Sequence, residues 1–402
     1  MFVSLGATFL LNLLQLKILT ACLPKDAVGS YFAASGVSLF VGTMYLFGFP
    51  MVFARFIPRY EQSHRKDRIP GLLGLSLSSF VAFALPTLAV LFAIRSRYSD
   101  GAVTSVLPIA FAAHMGLLMM SIVSSYYVGL RRMHVAAILN VIPIAGHVAG
   151  LYLIREHLSV VNAFNVLAVS STLPLVIALV LARPRFAGVR QIVGEIRGYW
   201  RYAVLVTALS PFILYVDRVI IAGTLPLDVL GLYMVSRRLE NGVNKVLTVP
   251  LFAMAPEFSA RSEPRDNEHN QGMFRRFLRV YWLLAGVLCV VVAWLGPRLI
   301  PLVSTRDYLS AYPILVLLLL ATVIGAVSAP YTLLARSLGR MDLYFFSDVV
   351  WLATYAIANA SLISRFGVRG VALSAVLASI ATLLFVLTYV RPRIQRSGRL
   401  MQ

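Results

Sequence analysis

Eight ionisable side chains sit inside apolar stretches of this chain: five cations (Lys17, Arg218, Arg237, Arg238, Lys245) and three anions (Asp217, Glu240, Asp348). A charge in such surroundings is costly, and it persists where it meets a counter-charge, water or a ligand. Pairing every anion with a cation still leaves two positive charges over. The chemistry that surplus suits is capture of an anion, because the arginine fork matches the geometry of phosphoryl and carboxylate oxygens.

Their spacing is ordered. Lys17 lies six residues before Leu23, Asp217 and Arg218 lie eight and seven before Leu225, and Arg237 and Arg238 lie six and seven after Gly231. At about 1.5 Å per helical residue, all five lie on the order of 10 Å below one surface. Arg237, Asn241, Asn244, Lys245 and Thr248 recur at i, i+4, i+7, i+8 and i+11, one helical face. Glu240 borders that face and can pair with Arg237 or Asn244. A structural alternative is that Asp217 or Glu240 only locks a neighbouring arginine into helix packing. His114 and His147, lone in apolar runs, read as packing residues, and Asp348 is a candidate coupling residue.

The elements holding these charges must be membrane helices. The chain of 402 residues is 59% hydrophobic and 13% charged, with mean hydropathy +0.82, where a soluble domain carries about a quarter charged residues. Twelve spans are expected, at 2–22, 30–52, 70–94, 104–128, 136–154, 161–182, 202–222, 231–254, 277–297, 310–333, 343–364 and 371–390. Pro50, Pro143, Pro211, Pro250 and Pro330 interrupt spans and free carbonyls. Tyr126, Tyr127, Tyr199, Trp200 and Tyr202 are expected as interfacial anchors.

The chain also repeats itself. Leu23-Pro24-Lys25-Asp26-Ala27-Val28-Gly29-Ser30-Tyr31 returns as Leu225-Pro226-Leu227-Asp228-Val229-Leu230-Gly231-Leu232-Tyr233, a register of 202. Arg132-Met133 returns as Arg340-Met341, and Arg183-Pro184-Arg185 as Arg391-Pro392-Arg393, both in register 208. Membrane chains built twice in one orientation handle substrate between their halves. The fold class expected is an all-α polytopic membrane protein of about twelve transmembrane helices. They form two six-helix lobes, 1–190 and 191–402, as a 6+6 parallel repeat around a central cavity. Asp348 has Asn140 as its mate, a position polar in both halves, whereas Arg237 and Arg238 have Ser35 and Gly36. The cationic layer is therefore weighted toward the second lobe, with Lys17 opposite.

With both termini inside, cytoplasmic segments hold 23 Lys and Arg and outer loops hold eight, as the positive-inside rule requires. The net charge of +20 is this topological signal, so no nucleic-acid partner is expected. No connecting loop exceeds about 25 residues, which leaves no room for the catalytic domain of a membrane polymerase or glycosyltransferase. None of the four lysines (Lys17, Lys25, Lys66, Lys245) follows a glycine, so there is no phosphate loop. Cys22 and Cys289 have no metal spacing. Leu19-Thr20-Ala21-Cys22 matches a lipidation box, but Lys17 breaks the uncharged run a signal peptide needs. Neither an enzyme nor a bound cofactor is expected.

One further set of residues carries a resemblance. The polar turn and G-x-Y opening the second span, Gly48-Phe49-Pro50, the Asp217-Arg218 pair, and a second G-x-Y opening the eighth span before Pro256 resemble, in that order, the polysaccharide flippases. These belong to the multidrug/oligosaccharidyl-lipid/polysaccharide exporter superfamily. The chain begins inside its first helix, where family members carry a longer cytoplasmic start. The resemblance implies a flippase that moves a polyprenyl-pyrophosphate-linked oligosaccharide to the outer leaflet of the bacterial inner membrane for surface polysaccharide or lipopolysaccharide synthesis. By position, Lys17, Arg218, Arg237 and Arg238 would hold the pyrophosphate, with Asp217, Glu240, Asn241, Asn244 and Lys245 in support. Membrane lipids, a polysaccharide polymerase and glycosyltransferases are the implied partners. A cation-coupled multidrug antiporter of the same fold is the alternative; its cavity would be rich in carboxylates, and here cations lead.

Overall fold

In hydrocarbon every backbone N–H and C=O must be satisfied inside its own element, so long apolar runs become helices. The computed structural model describes residues 2–63, 65–97, 101–186, 189–260, 267–337 and 340–394, and among them there is no strand. Thirteen α-helices follow in order: α1 (Phe2–Cys22), α2 (Lys25–Met44), α3 (Phe49–Gln62), α4 (Ile69–Arg97), α5 (Leu107–Gly129), α6 (Met133–Leu153), α7 (Val160–Ala182), α8 (Val189–Thr224), α9 (Leu227–Ala260), α10 (Asn267–Val303), α11 (Tyr312–Ser337), α12 (Met341–Phe366) and α13 (Val368–Phe385). Eleven described segments are long and apolar enough to cross a bilayer. The 34-residue α9 is not among them, because it carries the charges discussed above.

Two expected span boundaries are corrected. The second span was expected over 30–52, but α2 stops at Met44 and Gly48 takes the left-handed conformation (φ +71) before α3 begins. Pro50 thus lies in the first turn of α3, where its missing N–H costs nothing, instead of breaking a span. Arg298 lies within α10, which runs through Pro297 and Pro301 without a break at the expected span end. The Arg183 and Arg391 motifs diverge: Arg183 ends α7 in the left-handed region (φ +48), while Arg391 (φ −54) stays helical after a π turn over Val386–Val390.

The described chain divides into two compact units, Met1–Gly231 and Leu232–Gln402. In the first, α5 packs on α4, α6 and α7, and α6 packs on α7; in the second, α11 packs on α10, α12 and α13, and α12 packs on α13. The order of pairings is the same. Turn geometry repeats with it. The Arg132 N–H donates to the Tyr127 carbonyl at 2.9 Å and Arg340 to Ala335 at 2.9 Å, with φ/ψ of −89/62 and −82/63. Likewise Leu23 donates to Leu19 at 3.0 Å and Leu225 to Ile221 at 2.9 Å, so each L-P pair closes one helix and opens the next. Pro24 is the N-cap of α2 in extended conformation, and Tyr31 and Tyr233 are buried.

The first unit also contains α8, packed along α2 and α3. A clamp explains the attachment. The Trp200 indole donates to the Phe47 carbonyl at 2.7 Å and packs on Phe49, and Tyr199 packs at a tilt against Phe56 beneath the Arg55 guanidinium. A Cβ on Gly48 would lie 2.5 Å from the Ala203 carbonyl carbon, so only glycine meets both the backbone conformation and the approach. Further along α8, Glu195 accepts hydrogen bonds from Tyr60 (2.8 Å), Arg65 (3.1 Å) and Arg68. Burial and the Glu195 carboxylate push the Tyr60 hydroxyl up to about 12. Of the expected interfacial anchors, Tyr126 and Tyr127 belong instead to the buried core of this unit, and Tyr202 is exposed.

Candidate functional site

The charges of the two units have different surroundings. In the first, Asp217 is buried (4% exposed), and its Oδ1 accepts the Arg218 backbone N–H at 2.8 Å. The half-buried Arg218 side chain lies along α2: a Cβ on Gly36 would sit 2.8 Å from Arg218 Cβ and 3.1 Å from Cδ. Its guanidinium carbon stands 4.9 Å from the centre of the Tyr215 ring, a cation–π contact that favours the charge without neutralising it. Among the described residues no carboxylate pairs with Arg218, and its buried Nε–H meets no acceptor. Lys17, on α1, is half-buried.

Two features of this unit carry no signal local in sequence. The Gln15 amide donates to the Tyr31 hydroxyl at 2.8 Å, and that hydroxyl lies 3.4 Å from His147 Nε2, so a buried polar chain joins α1, α2 and α6. Gln15 stands 202 residues before Asp217, and both positions are polar and buried. His114 is held by the Ala110 carbonyl at 2.7 Å and packs edge-on to Phe164. Both histidines have the packing partners expected of them.

In the second unit α9 carries the stripe, and the structure divides it. Glu240 is 3% exposed and accepts three hydrogen bonds: from Arg237 (2.8 Å), from Asn244 and from Thr322 on α11 (2.9 Å). Both expected partners of Glu240 are therefore present, with Thr322 in addition. A buried carboxylate so saturated is a stable hub, because removing any donor strands charge in a low-dielectric setting. Ser236 ties the same helix to the Ala311 carbonyl at 2.8 Å. Thr248 bonds back to the Asn244 carbonyl at 2.7 Å. Arg238 and Lys245, seven residues apart, share the neighbouring edge about 100° round the helix, where both are half-buried with Asn241. Asp348 is half-buried on α12, while its mate Asn140 is exposed on α6.

The Asp217 and Glu240 carboxylates accept from protein donors, and the Arg218 guanidinium on α8 has no carboxylate partner among the described residues.

No curated protein sequence matches the chain. Solved structures do: the lipid II flippase MurJ in an inward-closed conformation has TM-score 0.74 at 14% identity, covering 99% of this chain and 89% of that one. A variant of the Vibrio cholerae MATE transporter VcmN has TM-score 0.63 at 11% identity, covering 99% and 94%. A MOP superfamily transporter from Pyrococcus furiosus, described by the reverse polarity of its binding pocket, has TM-score 0.63 at 14% identity, covering 98% and 93%. At these identities the likeness establishes the fold, that of the MOP superfamily transporters. Residues 1–262 of the 402 match the family described as polysaccharide biosynthesis protein, and the chain belongs to that family.

Proposed function

We propose that this polytopic membrane protein is a flippase that carries a polyprenyl-pyrophosphate-linked oligosaccharide from the cytoplasmic to the outer leaflet of a bacterial inner membrane, with both termini cytoplasmic. The observation that carries the reading is the state of Arg218: half-buried in the bundle, on an aromatic face, with no carboxylate partner among the described residues. A cation kept this way needs an anion from outside the chain, and a pyrophosphate supplies one with oxygens in fork geometry. Arg218 and Lys17 would serve in the first unit and Arg237 and Arg238 in the second, with Asp217, Glu240, Asn241, Asn244 and Lys245 in support and Asp348 as a candidate coupling residue. A polysaccharide polymerase and glycosyltransferases would act beside it. We propose 1–190 and 191–402 as the duplicated segments. The multidrug antiporter reading shares the fold but wants carboxylates open to a cationic drug, and Glu240 is saturated by protein donors.

The test is export of surface polysaccharide in a strain lacking this gene, complemented by each variant at matched protein level. Arg218→Ala is expected to lose most export, whereas Arg298→Ala, at the far end of α10, retains it. Full complementation by alanine at each of Lys17, Arg218, Arg237 and Arg238 would overturn the anion mechanism.

A further inference from the structure

Gly36 and Arg238 occupy the same place in the two halves, 202 residues apart. The second helix of the first half thus has a glycine where its counterpart has an arginine. The structure shows what fills the space: the stem of Arg218, arriving from α8, with Cβ 2.8 Å and Cδ 3.1 Å from where a Gly36 Cβ would stand. We propose that Gly36 is a positioning residue that seats Arg218, so that the first half takes from a neighbouring helix the cation its own second helix lacks.

Three observations support the assignment. Glycine inside a helix is unfavourable relative to alanine, so its presence in the middle of α2 calls for a compensating contact. The atoms it would strike belong to the Arg218 side chain alone, whereas those facing Gly29 on the same helix are backbone atoms of Leu227. At Gly29 the close approach is to backbone; at Gly36 it is to the Arg218 stem, Cβ first and Cδ next. Beside Gly36 in the chain, the Ser35 hydroxyl is buried and meets no hydrogen-bond partner in the protein.

The proposal rests on the anion reading of Arg218, and one experiment separates the two. Full-length protein in detergent is titrated with farnesyl pyrophosphate, with inorganic pyrophosphate and farnesol as probes of head and tail alone. Arg218→Ala is expected to weaken farnesyl pyrophosphate about tenfold or more, the range for a charged hydrogen-bond contact, and to leave farnesol unchanged. Gly36→Ala should weaken the same probe to a similar extent. Added to Arg218→Ala, it should cost nothing further. An equal loss from Gly36→Ala in both backgrounds would make Gly36 a packing residue and overturn the proposal. Wild-type affinity in Gly36→Ala, beside a weakened Arg218→Ala, overturns the positioning role alone. Wild-type affinity in Arg218→Ala overturns the anion reading and the proposal with it. If Gly36→Ala does not fold, adding Arg218→Gly, which removes Cβ and the stem together, should restore folding, and failure to restore it refutes the seat.

Discussion

Glu240 shows how a charge inside a membrane protein can hold helices together. Its carboxylate holds Arg237, Asn244 and Thr322, so alanine there leaves Arg237 without its counter-charge at a cost of about 3–5 kcal/mol. Thermal unfolding of the purified protein should show Glu240→Ala well below wild type and Arg238→Ala close to it. Thr322→Val, which keeps shape but removes one donor, should cost about 1–2 kcal/mol. The Arg237–Glu240–Asn244 part of this hub was legible in the sequence because i+3 and i+4 spacing fixes a helical face. Thr322 was not, because a lone hydroxyl 82 residues away carries no local signal. Tyr60 makes a different prediction. With burial and the bond to Glu195 pushing its hydroxyl up to about 12 from 10, the buried Tyr60 contributes its full stability below pH 10 and loses it as pH rises through 12. Tyr60→Phe should therefore show less loss of stability between pH 10 and 12 than wild type, measured by unfolding across that range.

The helices themselves were largely readable, and the failures share one cause. Hydropathy runs unbroken through Tyr45–Pro50, so a single span was expected where the chain turns at Gly48 and starts α3. What stops α2 is the left-handed backbone at Gly48 and the close approach of α8 behind it, and the second of these is invisible in a window of neighbours. Gly48→Ala puts a Cβ at φ +71 and 2.5 Å from the Ala203 backbone, which should destabilise by about 2 kcal/mol or more. Trp200→Phe keeps the ring but loses the bond to the Phe47 carbonyl, at about 1 kcal/mol. Both are read by thermal unfolding, and both should loosen α3 from α8 without touching Arg218. Retention of full stability by either would show that the clamp contributes nothing to the fold.

For the whole molecule, two levels of order overlie each other: a duplicated sequence and a pair of compact units. Turn residues recur in register in the sequence, and the backbone bonds of Arg132 and Arg340 repeat to 0.1 Å or better. The units are not legible there, because they depend on which helix faces which. Charge placement predicts that reporter fusions after residues 63, 190, 265 and 400 all report cytoplasm, the last two lying outside the described residues; a periplasmic signal at any of them refutes that topology. The seating of α8 beside α2 and α3 has one more consequence, for how the chain can be divided. Two polypeptides expressed from separate cistrons should reconstitute export when the break falls in the Thr224–Leu227 turn, since the first fragment then keeps the clamp partners of α8. A break near residue 188 frees α8 to insert with the wrong fragment, and that pair should be degraded by membrane quality control before it can assemble.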